Sequence, residues 1–246
     1  MVVPSRAVTT VAGTPTSSVA LITGASRGLG LALARALAEV GWRLIIDARG
    51  ADALHEAAAE LSIHTTVHAI PGDVADESHR VAIVTAARDL GGLDLLVHNA
   101  STLGPTPPPA VADYPVKALE QVFQVNVFGP LRLTQLALPI MRSGARIFTV
   151  TSDAAVEAYK GWGGYGASKA ALEQLTAVLA EERPDLRVYQ VDPGDMNTRM
   201  QQEAFPGEDV SDHPPPTASV PGLLWLINGD LPSGRYAARA LVGAVG

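Results

Sequence analysis

Between a run of four apolar residues, Val19 to Ile22, and a stretch with Leu29, Leu31, Leu33 and Leu37, the chain reads TGASRGLG at 23–30. A short apolar run, a glycine-bearing turn and then helical periodicity predict strand, tight turn and helix. That order aims the free N–H groups and the positive end of the helix at the turn, an arrangement that suits a pyrophosphate. Gly24 is expected to permit the turn, Gly28 to let a dinucleotide approach the backbone, and Gly30 to let helix and strand pack closely. Ser26, Arg27 and Leu29 belong to the same phosphate-facing segment.

The same alternation continues. Strands are expected at 19–23, 43–47, 66–70, 94–98, 145–151, 186–191 and 235–240. Helices are expected at 28–40, 51–61, 76–90, 115–139, 157–181 and 217–228. Such a pattern predicts an α/β fold with a parallel sheet covered on both faces, and 246 residues suffice for one such core. We read 18–246 as one domain and 1–17 as a flexible leader. The Pro-rich stretch STLGPTPPPAVAD is expected at the rim of a cleft, and the Pro-rich, acidic segment 196–221 is long enough to be either a substrate lid or an exposed linker.

Tyr165 and Lys169 stand four apart in YGASK, on one face if the segment is helical. A lysine ammonium beside a phenol favours the phenolate, so Lys169 is expected to lower the pKa of Tyr165 from its ordinary value near 10. Ser152, thirteen residues before Tyr165, adds a hydroxyl that can hold an oxygen on which charge develops.

Together these motifs resemble the short-chain dehydrogenase/reductase family, of its shorter, classical type. TGxxxGxG matches at Thr23, Gly24, Gly28 and Gly30, and YxxxK at Tyr165 and Lys169. The family's catalytic serine falls at Ser152 in TVTSDAA and its helix asparagine at Asn126 in FQVNVFG. Asp73, followed by Val74, matches the acidic residue near the adenine. Asn99, Ala100 and Ser101 lie in the family's NNAG element, which reads His98-Asn99-Ala100-Ser101 here. Pro193, Gly194 and Thr198 match the segment flanking the nicotinamide. The two changes in NNAG imply altered local bonding with cofactor binding kept. The resemblance implies a Rossmann-type doubly wound sheet of about seven strands ordered 3-2-1-4-5-6-7. It also implies hydride transfer between a nicotinamide and a carbonyl or alcohol. Tyr165 is then the general acid/base, Ser152 holds the substrate oxygen, and Lys169 binds the nicotinamide ribose. Asn126 interrupts its helix and positions a water for proton relay. In the family the two long helices form a subunit interface, so a homodimer or homotetramer is implied. An epimerase or dehydratase of the same fold, or a non-enzymatic NADP(H)-binding sensor or scaffold, is the alternative reading.

The end of the second strand, WRLIIDARG, bears on the cofactor. An acid on the ribose hydroxyls favours NAD, and an arginine on a 2'-phosphate favours NADP. Ala48 occupies the usual acidic place and Arg49 follows it, with Arg27 as a second phosphate partner, so NADP(H) is preferred. Asp47, one place earlier, would reach the ribose after a one-residue shift, which keeps NAD(H) as the alternative.

A net charge of −7 without a basic stripe gives no case for nucleic acid. The six histidines form no tight cluster and there is no cysteine, so no metal site is expected; the lack of cysteine fits a reducing cytoplasm. No membrane span or secretory signal is apparent. The substrate is a small-molecule carbonyl or alcohol of unspecified kind. Tyr159, Trp162 and Met196 are candidates for an apolar pocket lining, and an aromatic content of 5% argues against an extended aromatic platform.

Overall fold

A computed structural model describes residues 18–242; the leader at 1–17 lies outside the described residues. Seven parallel strands form one sheet: β1 (Val19–Ile22), β2 (Arg43–Ala48), β3 (Val67–Pro71), β4 (Leu93–His98), β5 (Met141–Val150), β6 (Arg187–Asp192) and β7 (Gly234–Ala237). Their order is 3-2-1-4-5-6-7, as the resemblance implies. The chain leaves β1 toward β2 on one side and enters β4 on the other, so a crevice opens beyond the C-terminal ends of β1 and β4.

Burial on both faces explains the near-continuous apolar strands: all four residues of β1 are fully buried. One core layer packs α1 (Gly28–Glu39), α2 (Ala51–Leu61) and α8 (Val220–Asn228) against the sheet, through Leu33, Leu37, Leu54 and Leu226 among others. The other layer packs α3 (Glu77–Asp89) and α5 (Gly129–Ala137) through Ile83, Val84, Leu133 and Ala137. Helix α6 (Gly163–Glu182) closes that second layer with Leu179 and Ala180.

Helix starts differ in a way that bears on function. Asp76 caps α3 by accepting from the Ser78 N–H at 2.9 Å. Helix α1, by contrast, carries no side-chain cap at Arg27, which leaves its leading amides for a ligand.

Several expected boundaries move. The helix expected at 115–139 divides into α4 (Val116–Phe123), a π turn (Gln124–Phe128) and α5. Pro130 has no N–H to return to the carbonyl of Asn126 four residues back, so the regular ladder cannot pass that point. The helix expected at 157–181 begins six residues later, at Gly163, after a turn in which Gly161 has φ +87°. Within 196–221 lies an unexpected short helix, α7 (Arg199–Ala204). The last strand ends at Ala237, where α9 (Ala238–Val242) begins.

Candidate active site

The crevice is a cleft of about 1130 Å³ whose walls come from the ends of β1, β2, β4, β5 and β6. Ser26, Arg27, Gly28, Leu29, Ala48, Arg49, Asp73, Val74, Ala100, Ser101, Ser152, Tyr165, Lys169, Pro193 and Thr198 all line it, with Gly24, Asn99 and Gly194. Two of the expected site residues, Gly30 and Asn126, stand behind the wall.

The glycine-rich turn is fixed to the β4 loop. Thr23 Oγ1 donates to the Val97 carbonyl and accepts the N–H groups of Asn99 and Ala100, both at 3.0 Å. The Asn99 amide donates to the carbonyls of Thr23 and Gly24 at 2.8 and 3.0 Å. This crowding dictates glycine: a Cβ on Gly24, at φ +67°, would lie 2.9 Å from Ala100 Cα. On Gly30 it would meet both the Gly24 carbonyl and the Asn99 amide at 2.6 Å. His98, in place of the usual asparagine, turns away to Thr134 Oγ1 at 2.8 Å. Burial, helped by the Lys169 charge, pushes its pKa down to about 3, so it stays neutral. Of His98 and Asn99, it is Asn99 whose side chain bonds the turn.

Asp47 lines the cleft, but its carboxylate is bonded within the protein. Its carboxylate, 1% exposed, accepts the Gly24 N–H at 2.8 Å and faces His79 Nε2 at 2.9 Å. Burial raises its pKa against the opposing pull of those two bonds. Asp47 thus props the turn from beneath: it lines the cleft beside Ala48 and Arg49, but its two oxygens are engaged by Gly24 and His79. Asp47→Ala would leave the Gly24 amide and the His79 ring without their acceptor. We expect a loss of about 2–4 kcal/mol in urea unfolding; a loss below about 0.5 kcal/mol would show that the network carries no weight.

The proton-transfer groups meet at the end of β5. Lys169, 2% exposed, donates to the Val150 carbonyl at 2.8 Å, and its Nζ lies 5.5 Å from the centroid of the Tyr165 ring. Burial pushes the Lys169 pKa down to about 8 against the pull of Glu173. Tyr165 departs from expectation. Burial, with smaller contributions from Asp192 and Asp153, raises its pKa, and the lowering comes from the Ser101 hydroxyl rather than from Lys169. The ammonium lies against the ring and is spent on a main-chain carbonyl, so the phenol stays protonated through the neutral range.

Asn126 is fully buried and fully bonded. Its Oδ1 accepts the Thr102 N–H at 2.9 Å and the Ser101 hydroxyl at 3.2 Å. Its Nδ2 donates to the Thr102 carbonyl at 2.9 Å and to Ser168 Oγ at 3.0 Å. Ser168 in turn donates to the Tyr165 carbonyl at 2.6 Å. The chain Thr102–Asn126–Ser168 therefore locks the β4 loop to the first turns of α6. Ser168 was not singled out from the sequence, although its place three residues after Tyr165 in a helix was readable.

Ser152, two residues beyond β5, caps a short 3-10 turn (Asp153–Ala155), accepting the Ala154 N–H at 3.2 Å. Its hydroxyl donates to Asp153 Oδ1 at 2.8 Å. Asp153 Oδ2 and Glu157 Oε2 both accept from the Tyr159 hydroxyl, at 3.0 and 2.8 Å. Tyr159, Trp162 and Met196, the expected pocket lining, do line the cleft, and with Tyr165 and Phe205 the first two bring four of the chain's twelve aromatic residues to it. Trp162 lies between Tyr165, at a centroid distance of 5.6 Å, and Phe205, at 5.8 Å. Neither Asp153 nor Phe205 carried a sequence signal: the partners of Asp153, Ser152, Ala154 and Tyr159, are local but follow no motif, and Trp162 meets Phe205 from another segment.

Among the described residues there is no group of acidic, histidine or cysteine side chains that could hold a metal, and no helix long and apolar enough to cross a membrane. Residues 18–209 match the short chain dehydrogenase family. The rhamnolipids biosynthesis 3-oxoacyl-[acyl-carrier-protein] reductase of Pseudomonas aeruginosa is 36% identical over 192 residues, 74% of each chain. Benzil reductase of Saccharomyces cerevisiae is 35% identical over 195 residues, 75% of this chain and 74% of that one. A short chain dehydrogenase from Shigella flexneri, complexed with NADP, superimposes with a TM-score of 0.84 at 28% identity, covering 90% of this chain and 97% of that one. With TGxxxGxG on the cleft floor and YxxxK at its wall, the chain belongs to the short-chain dehydrogenase family and is a nicotinamide-dependent oxidoreductase.

Proposed function

We propose that the protein reduces the carbonyl of a small molecule with NADPH, and the observation that carries the choice of NADPH is the engagement of Asp47. An acid free to accept from both ribose hydroxyls is what NAD binding needs, and Asp47 is buried and bonded to Gly24 and His79. Arg49 and Arg27 line the same cleft, and Ala48 brings no acid to it. A 2'-phosphate fits between guanidinium groups, which present several donors to its oxygens. The Shigella flexneri relative, complexed with NADP, supports the same choice. The uncapped start of α1 and the turn at 24–30 suit the pyrophosphate, with Asp73 and Val74 toward the adenine, and Asn99, Ala100, Ser101, Pro193, Gly194 and Thr198 toward the nicotinamide.

When bound, the nicotinamide supplies the hydride. Tyr165 gives its proton to the carbonyl oxygen, a role that suits a phenol held in its protonated form. Ser152 donates to the same oxygen once its hydroxyl turns from Asp153. Lys169 places a positive charge beside Tyr165, holds the ribose, and stabilises the phenolate left after transfer. Asn126 positions the wall behind them. Two relatives are named as reductases of oxo compounds, which agrees with the direction. The segment 196–221 contributes Met196, Thr198 and Phe205 to the cleft and is read as its substrate-side cover. Self-association is read through α5 and α6, where Leu131, Leu175 and Val178 remain 36–44% exposed beside Phe128 at 47%.

Cofactor affinity tests this reading without a substrate. Quenching or enhancement of reduced-cofactor fluorescence should show NADPH bound at least about tenfold more tightly than NADH. Arg49→Ala should weaken NADPH by about ten- to a hundredfold while leaving NADH within about twofold. Equal affinities in the wild type, or an equal loss for both cofactors in the variant, would defeat it.

A further inference from the structure

The substrate end of the cleft has two features that the proposed reduction does not by itself require. One is the aromatic wall in which Trp162 joins the catalytic-site ring of Tyr165 to Phe205 of the 196–221 segment. The other is a pair of carboxylates, Asp153 and Glu157, linked through one Tyr159 hydroxyl. Asp153 is in contact with Ser152, the residue that meets the substrate oxygen under the reading above.

We infer that this cleft selects ketones bearing a flat aryl group and no negative charge next to the carbonyl, with Trp162 and Phe205 as the wall for the ring and Asp153 as the residue that rejects anions. The inference rests on the proposed carbonyl reduction.

An aryl group gains both apolar contact and edge or face contacts from Trp162 and Phe205, which an aliphatic chain of equal carbon number gains only in part. The charge argument follows from what surrounds Asp153. Bonds from Ser152, Tyr159 and the Ala154 amide, with the charge of Arg235, outweigh burial and hold Asp153 ionised. Arg235 does not neutralise it: the guanidinium bonds to Glu173 at 3.1 Å and to Asp192 at 3.1 Å. Arg199 is likewise taken by Glu203 at 2.6 Å. Lys160, the remaining cation of the substrate wall, is outnumbered there by Asp195, Glu208 and Asp209, which line the same cleft. A substrate carboxylate placed beside its own carbonyl would therefore come within a few ångströms of Asp153, where like charges in a partly desolvated site repel strongly. A neutral ester of the same shape meets no such repulsion.

Four α-substituted ketones test this by NADPH oxidation: methyl benzoylformate, benzoylformate, phenacyltrimethylammonium and methyl pyruvate. We expect kcat/KM for methyl benzoylformate to exceed that for benzoylformate by at least about tenfold, and that for methyl pyruvate by a similar factor. The trimethylammonium ketone should be turned over at least as well as benzoylformate. In Asp153→Asn the ester-to-acid ratio should fall by about tenfold, and in Trp162→Ala the aryl-to-alkyl ratio should fall similarly. Ratios cancel any general loss of activity in either variant, so a uniform drop that leaves a ratio unchanged overturns the role given to the residue replaced. Equal rates for acid and ester in the wild type overturn the charge selection. Equal rates for methyl pyruvate and methyl benzoylformate overturn the aryl wall. NADPH oxidation with none of the four defeats the proposed reduction itself, an outcome distinct from both.

Discussion

Tyr165→Phe is expected to lower kcat for ketone reduction by about 10²–10⁴-fold, the range a positioned general acid supplies, while leaving NADPH affinity within about threefold. The substitution removes one oxygen and keeps the ring. That ring's contacts with Trp162 at 5.6 Å and with the Lys169 ammonium at 5.5 Å persist, so the wall of the cleft stays in place. What is lost is the proton that the carbonyl oxygen must receive as hydride arrives. The raised pKa of Tyr165 adds a directional consequence. At about pH 7 nearly all of the phenol is in the proton-donating form and almost none in the proton-accepting form, so the wild type should reduce faster than it oxidises. Oxidation of the matching alcohol should accelerate as the pH rises. Retention of turnover within about fivefold in the Phe variant would remove Tyr165 as the donor.

Local rules carried the fold and the identity of the site; they failed where a residue's state depends on distant partners. The glycine turn, the apolar strands and the helix spacing of Tyr165 and Lys169 are short-range patterns, and each is where its pattern placed it. Asp47 shows the opposite case. Its adjacency to Ala48 and Arg49 left two roles open, and His79, 32 residues on, decides between them. The same holds for the Tyr165 phenol. A neighbouring lysine predicts a lowered pKa, yet the ammonium is turned to Val150, and burial by the surrounding wall raises the value instead. Helix breaks were legible only in part: Pro130 was visible, but its consequence at Asn126 depends on the Thr102 and Ser168 contacts that hold the displaced turn. Composition misled on aromatics because it averages over the chain, whereas folding gathers Trp162, Tyr165 and Phe205 from two segments into one wall.

Lys169→Met should separate activity from stability by moving them in opposite directions. The ammonium is 2% exposed and its protein partner is a single carbonyl, that of Val150. Burial depresses its pKa from 10.5 to about 8. In the window between those values the unfolded chain binds more protons than the folded one, so this group makes stability rise as the pH increases from about 8 toward 10.5. Below that window the cost of the buried charge is present in full. Methionine has similar length and no charge, so at about pH 7 the variant should be more stable by roughly 1–3 kcal/mol in urea unfolding. The gain should shrink through the window and vanish above it, where the wild-type group is neutral in both states. Under the proposed mechanism the same change also removes the charge beside the Tyr165 phenolate and the donor to the ribose, so kcat at saturating NADPH should fall by about 10²–10³-fold. Loss of both stability and activity would instead make Lys169 the tie between α6 and the end of β5, and its depressed pKa a consequence of that structural role.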